Sequence, residues 1–261
     1  MSQGPESYID DSKQLKDNDT FCFTCSPDKP CFTNCCYDLN LVLMPYDIFR
    51  LKKSLNMDST SFLKKYTSVH VGQASGLPVV ILKMEGPYLK CPFLDQEQGC
   101  QVYEDRPGAC RSYPLARMAY RSKDTEGVDE FYYVVREPDC EGFRNGKEWT
   151  VGEWKKHEGL EKYNEMNDIF GELLQAKTEA GIAHLNADQI EIFYMGCYDI
   201  DAFRKFFLES PNLDRFMEPE EILEKISKDE EELLKFGMRW VKKKLFSQGC
   251  PACSMPSNDK E

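Results

Sequence analysis

The stretch "CFTCSPDKPCFTNCC", residues 22–36, places five cysteines in fifteen positions and ends on two side by side. Neighbouring side chains diverge, so Cys35 and Cys36 fit one tetrahedral ion poorly. They more readily face two metals or different parts of one polynuclear centre. A vicinal disulfide is the alternative, and it needs a tight and unusual backbone turn. The spacing Cys22-x2-Cys25 is that of a metal knuckle, and dithiol redox motifs share it.

The chain has twelve cysteines in 261 residues and only three histidines, His70, His157 and His184, which stand singly. A metal site here is therefore built mainly from sulfur. An even cysteine count implies disulfides in a secreted chain and metal or catalysis in a reducing cytosol. The start, "MSQGPESYIDDSKQLKDNDT", has neither the basic, apolar pattern of a secretory signal nor the Arg-rich pattern of a transit peptide. No run approaches the roughly 18 apolar residues of a membrane helix, and the mean hydropathy is -0.57. A cytoplasmic protein is expected.

Net charge of -12 opposes binding to phosphate backbones, so nucleic acid is not an expected partner. The lysine run 242–244 is too short an electrostatic anchor to imply a membrane. A protein partner is left open.

Nine cysteines precede residue 141: Cys22, Cys25, Cys31, Cys35, Cys36, Cys91, Cys100, Cys110 and Cys140. Buried structural cysteines scatter through core positions, whereas these cluster, and all nine are candidate metal ligands. Two four-thiolate centres need eight sulfurs. Three metals with four sulfur contacts each need twelve, which nine thiolates meet if three bridge. Iron–sulfur clusters and zinc both accept all-thiolate surroundings. Arg106 and Arg111 flank Cys110, and there they either offset thiolate charge or make surface salt bridges to Glu104 or Asp105. Cys197 reads as a core residue, and Cys250 with Cys253 as a dithiol or second metal hook in a polar tail.

Helical spacing follows Pro45 and again the cap region Asp58–Thr60. "LPVVILKM" and "PYLKCPFL", separated by "EG", predict a hairpin. "FYYVVRE" predicts a strand pairing with "YPLARMAYR". "TVGE" at 150–153 is a capping box, opening an amphipathic stretch to about Gly181. Further helices are expected over 188–196, 199–209 and from Pro219 to just before Gly249. The fold class is α+β. Residues 1–20 form a flexible tail, 21–148 a cysteine-cluster metal-binding domain with minor β-hairpins, 149–249 a helical domain and 250–261 a tail with a CxxC.

"CFTNCC", "CPFL…GCQVYEDRPGACRSYPL" and the isolated Cys140 in "PDCEG", in that order, resemble the YkgJ-like cysteine-cluster family over roughly residues 20–145. The resemblance implies a zinc- or iron-chelating domain with a CxxCxxCC-type opening. Here the opening is longer, Cys22-x2-Cys25-x5-Cys31-x3-Cys35-Cys36, which makes Cys22 the spare cysteine. Flagellin lysine N-methylases are similar to this family in their cysteine cluster. Three functions follow. The first is a redox or metal-dependent protein with a polynuclear thiolate centre, iron–sulfur ahead of zinc. The second is a structural zinc module presenting a protein-interaction surface, and the third a cluster-containing modifying enzyme. No carboxylate pair, nucleophile–base arrangement or phosphate loop identifies a catalytic residue.

Overall fold

The computed structural model describes residues 9–122, 127–209 and 218–247. It is α+β: short sheets of two or three strands lie in the first part of the chain and helices dominate after residue 150. Two compact units form, one from Met1–Ser54 and Ile81–Asp168, the other from Leu55–Val80 and Ile169–Glu261.

The first unit is built on a three-stranded antiparallel sheet. Strand β1 (Ile9–Leu15) lies beside β8 (Val128–Val135), which pairs on its other edge with β7 (Leu115–Arg121). The strand β1 falls inside the stretch expected as a loose tail. "IDDSKQL" offers little apolar surface, but pairing with β8 satisfies its backbone, and Leu15 is buried with Leu115, Tyr132 and Val134. The β7–β8 pairing is the one the sequence predicts, and Leu115 sits opposite Val134.

A second small sheet joins β2 (Thr20–Phe23) to β9 (Lys147–Thr150). Strand alternation sends Phe21 and Phe23 into the core and leaves Cys22 exposed opposite Glu148. Trp154 stands edge-on to both phenylalanine rings, with centroids 5.8 and 5.7 Å away. It is carried by α4 (Val151–His157), which opens on the expected capping box: Glu153 N donates to Thr150 Oγ1, and Thr150 N donates to the Glu153 carboxylate. Thr150→Ala should cost about 1 kcal/mol, read as a lower urea midpoint with an unchanged slope. Gly159, at φ +61°, ends this helix before α5 (Leu160–Glu179) begins, so the expected continuous stretch is two helices. Earlier in the chain, α1 (Pro45–Ser54) supplies Tyr46 and Phe49 to the same unit.

In the second unit, α2 (Ser59–Tyr66) is capped by Asp58 and followed by β3 (Thr67–Val71). Strand β4 (Pro78–Leu82) pairs with β3. The hairpin expected between 77–84 and 87–94 reduces to a local turn in which Glu85 and Lys90 exchange backbone hydrogen bonds. Its strands cannot extend, because Cys91 N is committed to Cys36 O and Pro92 has no N–H.

The helices α6 (Ala187–Cys197) and α7 (Ile200–Arg204) follow, the latter running into a π-helical turn over Lys205–Glu209. The single helix expected from Pro219 is instead α8 (Glu220–Lys228) and α9 (Glu230–Phe246). Asp229 divides them by turning its carboxylate onto Glu231 N and Glu232 N. Cys197 is fully buried among the apolar side chains of this unit, as expected of a core thiol. Among the described residues no helix is long and apolar enough to cross a membrane.

Candidate metal centre

The cysteines of the first unit sit on short turns rather than on long elements, and backbone hydrogen bonds tie those turns together. After β2, Thr24 N donates to Gly142 O at 2.9 Å, bringing Cys25 beside the segment of Cys140. Successive turns lead to a 3₁₀ turn over Asn34–Cys36, entered through Thr33 at φ 69°. A β-branched residue rarely adopts that angle, and here it sets the direction of the adjacent cysteines.

Cys36 O then accepts from Cys91 N at 2.8 Å, and Cys91 O accepts from Leu94 N at 3.1 Å. The two-residue strands β5 (Leu94–Asp95) and β6 (Gly99–Cys100) place Leu94 opposite Cys100. Gly99 supplies the φ of +80° that this tight return requires.

Cys110 rides on α3 (Gly108–Ser112), which is pinned by Asp47. The Asp47 carboxylate accepts from Gly108 N and from Met44 N, each at 2.8 Å. Burial pushes its pKa up to about 6, while these two amides pull it back. The last cysteine, Cys140, lies in a turn whose next amide, Glu141 N, donates to Cys31 Sγ at 3.2 Å. The Tyr113 hydroxyl is hydrogen-bonded to Cys140.

Eight of the nine candidate cysteines thus converge. Cys25, Cys35 and Cys110 are exposed, and Cys31, Cys36, Cys91, Cys100 and Cys140 are half-buried. Cys197, in contrast, has no accessible surface. Ligating or reactive thiols keep some access to solvent, as the first group does, and thiols used as core hydrophobes lose it, as Cys197 does.

The electrostatics fit the same picture. Desolvation raises Cys25 to about 11, and the neighbouring thiols Cys35, Cys140 and Cys31 add to the rise. Desolvation also raises Cys91, Cys100 and Cys110, again helped by other cysteines of the group. Cys36 is raised chiefly by the hydrogen bond it shares with Cys35, which is lowered to about 7 by that same bond. A cation between them would relieve this mutual repulsion and replace the protons. Amides are already directed at sulfur: Glu141 N at Cys31, Phe93 N at Cys91 and Val102 N at Cys100. Such N–H···S bonds favour the thiolate and tune a bound metal.

Behind the sulfurs lie residues whose roles sequence spacing did not disclose. Arg106 pairs with the buried Glu158 carboxylate and stacks on the Tyr103 ring, so neither Glu104 nor Asp105 is its partner. Its charge lowers Cys100, although desolvation keeps that thiol high overall. Arg111 donates to Glu158 O and Glu104 O, each at 2.5 Å, and its buried Nε has no partner among the described residues. A buried cation with a spare donor, directly after Cys110, suits an anionic sulfur environment. Glu158 is 47 positions from Arg111 and 52 from Arg106, a separation with no sequence signature.

Cys22 is not brought into the group. It projects from the exposed face of β2 beside Glu148. Cys250 and Cys253 lie outside the described residues. Among the described residues, no three His, Cys, Asp or Glu side chains already stand in a metal-holding arrangement. The fit therefore rests on the donor chemistry and on the convergence of the eight thiols.

No curated protein and no solved structure is detectably similar to the chain. A family profile does match residues 24–141, that of CxxCxxCC, described as a "Putative zinc- or iron-chelating domain". The match begins after Cys22 and ends one residue beyond Cys140, so it encloses all eight converging cysteines and leaves out the one that points away. Residues 24–141 are thus similar to the zinc- or iron-chelating domain of the CxxCxxCC family, the cysteine-cluster family that the motifs resemble.

Proposed function

We propose that this protein carries a polynuclear metal centre ligated wholly by thiolates, of the iron–sulfur class, and serves a redox or metal-dependent role in the cytoplasm. The observation that carries the reading is the convergence of eight free cysteines, two of them adjacent in the chain, with no histidine among them. All-sulfur surroundings select iron–sulfur clusters or zinc over harder metals. The amide donors on Cys31, Cys91 and Cys100 and the buried guanidiniums behind Cys100 and Cys110 are the kind of groups that set cluster potentials. A cytoplasmic setting keeps such thiols reduced and available.

When bound, the metal would supply one-electron chemistry, and the chain's own residues would hold and shield it. Cys25, Cys31, Cys35, Cys36, Cys91, Cys100, Cys110 and Cys140 are the ligand set, and Cys22 is excluded from it. An open groove of about 710 Å³, lined by Tyr37, Glu85, Tyr88, Lys90 and Gln96, lies where the chain leaves Cys36 and approaches Cys91. It leaves this side of the centre within reach of a protein partner.

Anaerobic purification, followed by iron, zinc and acid-labile sulfide per chain and a visible spectrum, tests the reading. Iron with sulfide and a brown absorbance that bleaches reversibly on reduction is the expected result. Zinc in a colourless protein would replace it with the structural-module reading. Absence of metal, with the thiols oxidised in pairs, would remove it altogether. Cys22→Ser should leave metal content unchanged, whereas Cys100→Ser should lower it.

A further inference from the structure

We propose that the eight cysteines form two adjacent four-thiolate centres, with Cys25, Cys31, Cys35 and Cys140 around one and Cys36, Cys91, Cys100 and Cys110 around the other. This rests on the reading of the cluster as a metal site and specifies how its ligands divide.

The division follows the backbone. Cys25 and Cys31 are each tied to the segment of Cys140, the first through Thr24 N and Gly142 O, the second through Glu141 N on its own sulfur. Cys36 is tied to Cys91 by the 2.8 Å bond between Cys91 N and Cys36 O. Cys91 is tied to Cys100 through Leu94, whose amide donates to Cys91 O and which faces Cys100 across β5–β6. Arg111 Nη2 donates to Glu104 O, and this fixes the turn carrying Cys110 against the chain that leaves Cys100. The backbone links therefore sort seven cysteines into one set of three and one of four.

Electrostatic proximity shows which thiol stands between the two sets. The strongest thiol influences on Cys25 come from Cys35, Cys140 and Cys31, and those on Cys36 from Cys35, Cys91 and Cys110. Cys91 and Cys100 act on Cys110, and Cys100 acts on Cys91. Cys35 acts on Cys25 of the first set and on all four members of the second, so it stands where they meet. The second set is complete without it and the first lacks one ligand, and a tetrahedral site needs four. Cys35 therefore belongs to the first, and the two adjacent cysteines part between the centres.

Cadmium-113 is the probe, loaded as the sole metal into the full-length chain and read by NMR with the stoichiometry measured alongside. Two cadmium ions per chain and two resonances in the all-thiolate region are expected. Cys140→Ser should shift or abolish one resonance and spare the other, Cys100→Ser should do the reverse, and Cys35→Ser should strike the same resonance as Cys140→Ser. Far-UV circular dichroism checks that each variant remains folded. Cys31→Ser and Cys91→Ser provide second variants for the two sets. A single resonance, or loss of both resonances in every folded variant, would overturn the division while leaving the metal site in place. A wild-type chain that binds no cadmium would overturn the metal reading itself.

Discussion

Stripping the metal should unfold the cysteine-bearing segments, with eight cysteines passing from protected to alkylatable and the change reversing when metal is returned. These segments have little else to hold them. The 3₁₀ turn with Cys35 and Cys36 buries no residue, α3 buries only Arg111, and β5 and β6 have two residues each. Structural thiolate sites supply about 10–16 kcal/mol at neutral pH, whereas a whole domain is stable by only about 5–15 kcal/mol. The metal term thus dominates locally. Mass spectrometry after alkylation, with and without a chelator, reads it residue by residue. Protection of Cys91, Cys100 and Cys110 that persists without metal would show that the loops hold themselves.

The pH dependence has a definite sign. The thiols of Cys25, Cys36, Cys91, Cys100 and Cys110 are raised, so at neutral pH metal binding must displace their protons, and affinity should fall as pH falls. The metal-free protein behaves differently. Burial pushes the Cys25 thiol up to about 11 in the folded chain, from the 9 of an unperturbed thiol. Between those values the unfolded state has already lost the proton that the folded state keeps. Its stability therefore declines as pH rises from 9 toward 11. Metal affinity measured from pH 6 to 8 and urea midpoints of the metal-free protein from pH 8 to 11 should show these opposite trends.

Gly237→Ala should destabilise the second unit by about 2–3 kcal/mol, near the upper range of overpacking effects, despite the gain in helix propensity. A Cβ at 237 would stand 2.4 Å from Gly196 O, a backbone atom that cannot rotate away. Here α6 and α9 approach through paired glycines, with Phe203 packed alongside. Gly196→Ala meets a different obstacle, Val241 Cγ2 at 2.4 Å, a side-chain methyl rather than a backbone atom. Its cost should be smaller. Gly171→Ala provides the opposite sign, because nothing lies within 4 Å of its Cβ position in the interior of α5. Helix propensity alone should then stabilise by up to about 1 kcal/mol. Urea midpoints in the order Gly171→Ala, wild type, Gly196→Ala, Gly237→Ala are expected. An unchanged midpoint for Gly237→Ala would mean that the two helices can move apart without loss.

Much of the site was legible in the sequence because its signal is local. Thiol type and spacing marked the cysteines that the fold brings together, and the longer opening already set Cys22 apart. The helix starts at Asp58 and Thr150 were equally readable, since a capping side chain reaches only two or three residues along the chain. Errors arose where partners are distant. The strand β1 depends on β8 more than a hundred residues later. The hairpin after Leu77 gives way to β3–β4 pairing because Cys91 N is used by Cys36.

The sequence by itself determined that this is a sulfur-rich metal chain of α+β type, since residue chemistry and short-range periodicity need no partner. Only the tertiary structure decided which cysteines converge, that Cys22 faces away, and that Asp47, Tyr113, Arg106 and Glu158 stand behind the thiols. Those facts depend on long-range contacts, in which a backbone amide or a buried charge takes whichever partner the closed chain brings to it. Local pattern carries no record of that choice.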